Sequence, residues 1–138
     1  MSPLRIALAL PLLCTLFACA MPGGSAPDVV GTEWRLQDLH GVKVVDGVQA
    51  TLAFPEAGRV AGFGSCNRFF GTYTQVGHRM AFGQLGMTRM ACPGPIGEQE
   101  TRYLAALQQV KGLRLERNEL LLEVEGQIWP LRFAPVVR

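Results

Sequence analysis

From residue 29 onward the chain alternates apolar and polar positions with a period of two, interrupted at short intervals by glycine and proline. In residues 32–39, Trp34, Leu36 and, across a break at Asp38, Leu39 face one way, while Arg35 and Gln37 face the other, as in a half-buried strand. Residues 48–54 repeat the pattern with Ala50, Leu52 and Phe54, and residues 55–58 supply a turn. A third strand over 59–67 is weakened by Gly62 and Gly64, which imply a bulge, a bend or close approach of a neighbouring backbone. Residues 68–76 and 79–85 form a hairpin about Gly77–His78, and residues 87–92 either extend it or run irregularly beneath the sheet. After Pro93 the period changes. Over 96–112, Ile96, Tyr103, Leu107 and Val110 share one side with Leu104, and Arg102, Ala105, Gln108 and Gln109 face away, as in an amphipathic helix. Glu100 sits at the edge of the apolar stripe, either reaching solvent or pairing with an arginine such as Arg89. The tail returns to strands: 113–116, a turn at Arg117–Asn118, a strand with Leu120, Leu122 and Val124 on one face, and 128–133, where Pro130 demands an edge or a bulge.

Seven to eight strands and one packed helix define the expected fold class: α+β, mainly β, a small strongly coiled antiparallel sheet or barrel-like fold. Consecutive elements pair most economically as a meander. A helix of about fifteen residues is roughly 22 Å long, enough to cap or fill one opening of a small barrel.

The chain before residue 29 carries a different message. Met1–Arg5 is short and positive, residues 6–17 are apolar, and Ala18 precedes Cys19. About twelve apolar residues suit a signal peptide and are too few to span a bilayer. Residues 16–19 (Leu-Phe-Ala-Cys) resemble a bacterial lipobox, which implies cleavage before Cys19 and its acylation; Phe17 is unusual at its position, and Cys14 leaves with the leader. The expected organisation is therefore a lipoprotein signal peptide at 1–19, a flexible Pro/Gly-rich tether at 20–28 and one domain at 29–136. Multiple acyl chains would hold that domain on a membrane without a spanning helix. Ala20 rather than aspartate after the cysteine implies, by the same resemblance, an outer-membrane lipoprotein facing the periplasm.

Losing Arg5 with the leader takes the formal charge from +2 to +1, so nucleic acid is not an expected partner. In an oxidising compartment Cys66 and Cys92 either form a disulfide or remain two buried thiols. A bridge would be worth about 3–4 kcal/mol in the chain-entropy model.

Residues 64–73 (Gly-Ser-Cys-Asn-Arg-Phe-Phe-Gly-Thr-Tyr) and 87–93 (Met-Thr-Arg-Met-Ala-Cys-Pro) resemble the META domain family, which includes the bacterial heat-shock lipoprotein HslJ. Trp34 and Leu36, the glutamate-rich helix start at 98–107 and the closing strands at 120–133 fit the same pattern, so the resemblance covers about 31–133. It implies a compact barrel-like fold with a helix, similar in shape to secretion pilotins, no established enzymatic activity and a link to envelope or drug stress.

Catalytic material is sparse. His40 and His78 each sit beside a turn, Cys66 is a conceivable thiol with His78 a distant base, and no paired carboxylates, metal spacing or complete nucleotide loop is present. No enzyme activity, cofactor or metal is expected. Arg59, Arg68, Arg79 and Arg89 occupy a segment free of acidic residues from 57 to 97. They form a basic patch, spread around the surface, or bury Arg68 and Arg89 in fixed bonds. Asn67 contacts a ligand or closes an Asx turn. Adjacent Phe69 and Phe70 cannot both point inward on a regular strand. The candidate partner-binding residues are Arg68, Phe69, Phe70 and Arg89, the lipidation site is Cys19, and the disulfide is Cys66–Cys92. The function expected is a non-catalytic envelope lipoprotein that supports envelope or stress tolerance through a protein or lipid partner. The alternatives are a pilotin- or chaperone-like module holding an apolar peptide or acyl chain, and a periplasmic inhibitor of a secreted enzyme.

Overall fold

The computed structural model describes residues 24–137. The expected leader, Cys14, Cys19 and the first part of the tether lie outside the described residues. Ten strands and one helix follow: β1 Glu33–Leu39, β2 Val42–Lys43, β3 Thr51–Glu56, β4 Arg59–Phe63, β5 Arg68–Val76, β6 Arg79–Phe82, β7 Gly86–Met87, α1 Pro95–Leu107, β8 Val110–Glu116, β9 Glu119–Val124 and β10 Leu131–Pro135.

Eight of the strands close a barrel in the order β1-β3-β4-β5-β6-β8-β9-β10, with β10 returning to β1; every pairing is antiparallel. The short strands β2 and β7 pair with β1 and β5 outside the closed circuit. Closure leaves no sheet edge along the circuit, which is how a small β domain avoids edge-to-edge association. The inward set is the apolar one that the alternation predicts: Trp34 and Leu36, Leu52 and Phe54, Leu120, Leu122 and Val124 are all buried. The break at Asp38 is a bulge. Register against β10 shifts between Leu36 and Asp38, which puts both Asp38 and Leu39 under cover. At Arg117–Asn118 both residues have positive φ (49° and 64°), as a tight β8–β9 hairpin requires.

Gly62 explains itself by close approach. A Cβ there would collide with the Thr51 carbonyl on β3 and with the Phe69 ring on β5, so the barrel narrows over the one residue type that fits.

Helix α1 plugs the barrel end where β4 stops and β5 starts. It is shorter than the period predicts, because the chain turns at Gln108–Gln109 and Val110 already opens β8. Tyr103 enters the barrel between Phe69 and Phe133, with ring centroids 6.0 and 6.1 Å away, and its hydroxyl donates to the Thr51 carbonyl at 3.1 Å. Phe54, Tyr73 and Phe82 fill the other half of the axis. Each fully buried aromatic or leucine contributes about 1.5–3 kcal/mol of apolar burial. At the opposite end, residues 24–28, expected as the end of a free tether, lie against the β5–β6 hairpin: Gln75 Nε2 donates to the carbonyl of buried Pro27 and His78 Nε2 to that of Gly24.

Strand β10 starts three residues later than the alternation predicts. Pro130 has no N–H for the ladder, so pairing begins at Leu131, and Gly126 to Pro130 form an ordered loop. No helix among the described residues is long and apolar enough to cross a membrane.

Candidate functional site

The most sequence-specific residues meet where the helix closes the barrel. The turn between β4 and β5, Gly64 to Asn67, faces two segments at once: the first turns of α1 and the irregular stretch after β7. Cys66 and Cys92 form a disulfide across this junction, with 6.1 Å between Cα atoms. Glu100, buried to 6% exposure, points from the helix into the turn. Its Oε2 accepts the backbone N–H groups of Cys66 (2.9 Å) and Asn67 (2.5 Å), and its Oε1 accepts Asn67 Nδ2–H (2.8 Å). It therefore neither reaches solvent nor pairs with Arg89. Gly64 makes room for it, since a Cβ there would stand 2.7 Å from Oε2.

Asn67 uses its whole hydrogen-bonding capacity. Besides Glu100, its Nδ2 donates to the Met90 carbonyl (3.1 Å), and its Oδ1 accepts Met90 N–H (2.6 Å) and the Thr88 hydroxyl (3.0 Å). It holds a neighbouring segment rather than a ligand or a local turn. Ser65, at φ 116°, is held by Gln99, whose Nε2 donates to its hydroxyl (2.8 Å) while Oε1 accepts Val45 N–H (2.7 Å). No buried side-chain polar atom among the described residues lacks a partner. The motif is a set of clasps that fastens helix, turn and loop.

This geometry disposes of several sequence-derived candidates. Cys66 is a disulfide sulfur, not a free thiol, and His78 lies at the far end of the barrel against the Leu113 and Gly24 carbonyls. No group of three or more metal-ligating side chains occurs among the described residues. Phe69 is 1% exposed and stacks edge-on against Tyr103, so it cannot be a partner-binding residue; the alternation of β5 sends it inward and Phe70 outward. Phe70 is 61% exposed, with its ring covering Gly86. Arg68 and Phe70 share the outer face of β5, whereas Arg89 lines a different, shallow groove with Met87, Met90 and Arg102. The four candidates do not form one site. Arg59, Arg68, Arg79 and Arg89 are all exposed, with Arg59 paired to Glu56, so the basic segment is spread over the surface.

A feature that the alternation hides lies on the other side of the barrel. In the β9–β10 loop, Ile128 is 92% and Trp129 64% exposed. The loop is pinned: Gln127 N–H donates to the Val124 carbonyl, and His40 Nδ1–H donates to the Trp129 carbonyl at 2.9 Å. One edge of the indole rests over Gly41. Around it Arg132 pairs with Asp38 (2.7 Å) and Glu119, and Arg114 with Glu116 and Glu123. The signal that could have found the loop is Pro130.

Comparison with known proteins supports the motif reading. A family model described as META domain matches residues 27–134. The fold is similar to an NMR structure of a protein from Burkholderia xenovorans, with a TM-score of 0.65, 27% identity, and coverage of 94% of this chain and 100% of that one. A second NMR structure is similar with a TM-score of 0.60 and 25% identity, over 75% of this chain and 87% of the other. No curated protein matches. With turn, helix and disulfide in place and the family model spanning the barrel from end to end, the chain belongs to the META domain family.

Proposed function

We propose that this chain is a non-catalytic envelope lipoprotein, anchored through acylated Cys19, that supports envelope integrity under stress by binding a protein partner through the Ile128–Trp129 loop. The observation that carries this reading is the loop itself: two large apolar side chains held out in water by a fixed backbone, on a domain whose interior is already filled. Exposed aromatics of this kind are the residues that dominate protein–protein binding energy. The polar side chains at the motif support the non-catalytic part, because Glu100, Asn67, Ser65 and Gln99 are committed to internal bonds.

The barrel axis, occupied by Phe54, Phe69, Tyr103 and Phe133, weighs against holding an acyl chain inside. An inhibitor that inserts the loop into an enzyme cleft is the second reading, favoured by the pinned backbone, since a pre-ordered loop loses little entropy on binding. The test is a photo-crosslinking residue at position 129, compared with one at Thr74 on the outer face of β5, in intact cells. A product specific to position 129 is expected; identical products at both positions would overturn the proposal. A protease or hydrolase in that product would select the inhibitor reading.

A further inference from the structure

Residues 24–29 are fastened to the end of the barrel opposite the helix. Pro27 and Val29 are buried there, the Pro27 carbonyl accepts Gln75 Nε2–H at 2.7 Å, and the Gly24 carbonyl accepts His78 Nε2–H at 3.2 Å. The segment is thus pinned beside the β5–β6 turn. Five residue steps separate Cys19 from Gly24, and a fully extended chain covers at most about 18 Å in that distance. Strand β5 alone, with nine residues, is about 30 Å long and at the tilt of a small barrel spans about 23 Å of its axis. The link from Gly24 back to Cys19 is therefore too short for the helix end to turn towards a surface that holds Cys19.

The rim at the pinned end is formed by the turns at residues 57–58, 77–78 and 117–118, with the start of β1 and the end of β10 beside them. Four large apolar side chains stand in water on this rim: Val30 before β1, Val76 at the end of β5, Leu115 on β8 and Val137 after β10. Leu115 points the same way as buried Leu113, yet it is exposed because β8 runs on past β6, whose first residue already pairs with Gly112. Glu56, Glu116 and Glu119 each lie within ion-pair distance of an arginine, and Asp28 accepts Val30 N–H. Arg79 and Arg117 are exposed and make no ion pair among the described residues. Exposed apolar side chains beside unpaired arginines match the headgroup layer of a bilayer, where the first reach the acyl boundary and the second meet lipid phosphates.

We infer that this rim is a membrane-contact face, lying on the headgroup layer of the bilayer that holds Cys19. The inference rests on the lipid anchor of the proposed function and deepens it. Strand β9 leads from the turn at 117–118 to the helix end, where Glu125 N–H donates to the Gln109 carbonyl just past α1. The β9–β10 loop therefore leaves the barrel on the side away from the lipid, open to a protein partner.

Tryptophan quenching in vesicles tests the inference. The full mature chain is reconstituted into vesicles of phosphatidylethanolamine and phosphatidylglycerol, with and without bromine on the acyl chains, and its mass is measured on the same sample. Val76→Trp and Leu115→Trp should each add an emission that the brominated lipid quenches, while the wild-type emission, from buried Trp34 and exposed Trp129, stays unchanged. Arg79→Glu with Arg117→Glu should relieve the quenching seen with Val76→Trp, and near-native melting of each variant separates loss of contact from loss of fold. Wild-type quenching as strong as that with Val76→Trp, no quenching in any chain, or quenching indifferent to the charge reversal would overturn the inference. With Cys19 acylated, those results leave the anchored-lipoprotein reading standing; a mass without acylation removes that reading and this inference with it.

Discussion

Glu100 and Asn67 show how much of the motif is spent on closure. The carboxylate satisfies two backbone donors and one side-chain donor in a place without solvent, so Glu100→Ala leaves three buried donors without an acceptor. We expect it to cost about 3–5 kcal/mol, read as a shift in denaturant midpoint at unchanged slope. Asn67→Asp is the sharper probe. It keeps the shape, removes the Nδ2 donor to Met90 and sets a carboxylate against Glu100, so it should destabilise by more than about 2 kcal/mol in the same measurement. Tyr103 gives a pH signature. Burial pushes its hydroxyl well above the usual 10.0. The folded state therefore keeps its proton where the unfolded chain releases it; this contribution is complete below pH 10 and is lost as pH rises past 10 towards the folded value. Thermal melts should fall steeply in that range, and Tyr103→Phe should flatten the fall while costing about 1 kcal/mol at neutral pH for the lost bond to Thr51. Little of this residue-level detail was legible in the sequence. A glutamate beside an apolar helical stripe reads as solvent-facing or paired with an arginine, because the donors it accepts from are backbone groups more than thirty positions away.

Among the elements, alternation identified most of the barrel correctly. Leu52 and Phe54, and Leu120, Leu122 and Val124, all follow period two, whereas for adjacent Phe69 and Phe70 it required opposite faces without saying that Phe69 is the inward one. It failed where a local rule outweighs the period. The bulge at Asp38 shifts register, Pro130 delays β10, and the turn at Gln108–Gln109 ends the helix early. The short strands β2 and β7, two residues each, are too brief to show any period. Gly62 was legible as a special position but not which of bend, bulge or close approach it served; Gly62→Ala should cost about 1–3 kcal/mol through overpacking against Thr51 and Phe69. The disulfide joins the turn before β5 to the stretch before α1 over 26 positions. Replacing both cysteines by serine should cost about 3 kcal/mol, seen in chemical denaturation, with the fold retained because Asn67 and Glu100 still clasp the same segments.

At the scale of the whole molecule, the barrel separates its two ends and its two outer sides. The chain leading back towards Cys19 joins the barrel beside the β5–β6 turn, while the helix and the motif close the opposite end. The conspicuous residues of the sequence therefore lie in the seal, and the binding reading rests on residues that the sequence presents as ordinary strand. The measurement that tests it most directly is complementation of a deletion strain under envelope stress by the full chain carrying Ile128→Ser and Trp129→Ser together, with melting temperature and abundance recorded alongside. We expect a protein as stable and as abundant as wild type that fails to restore growth. Full restoration by that variant would contradict the account.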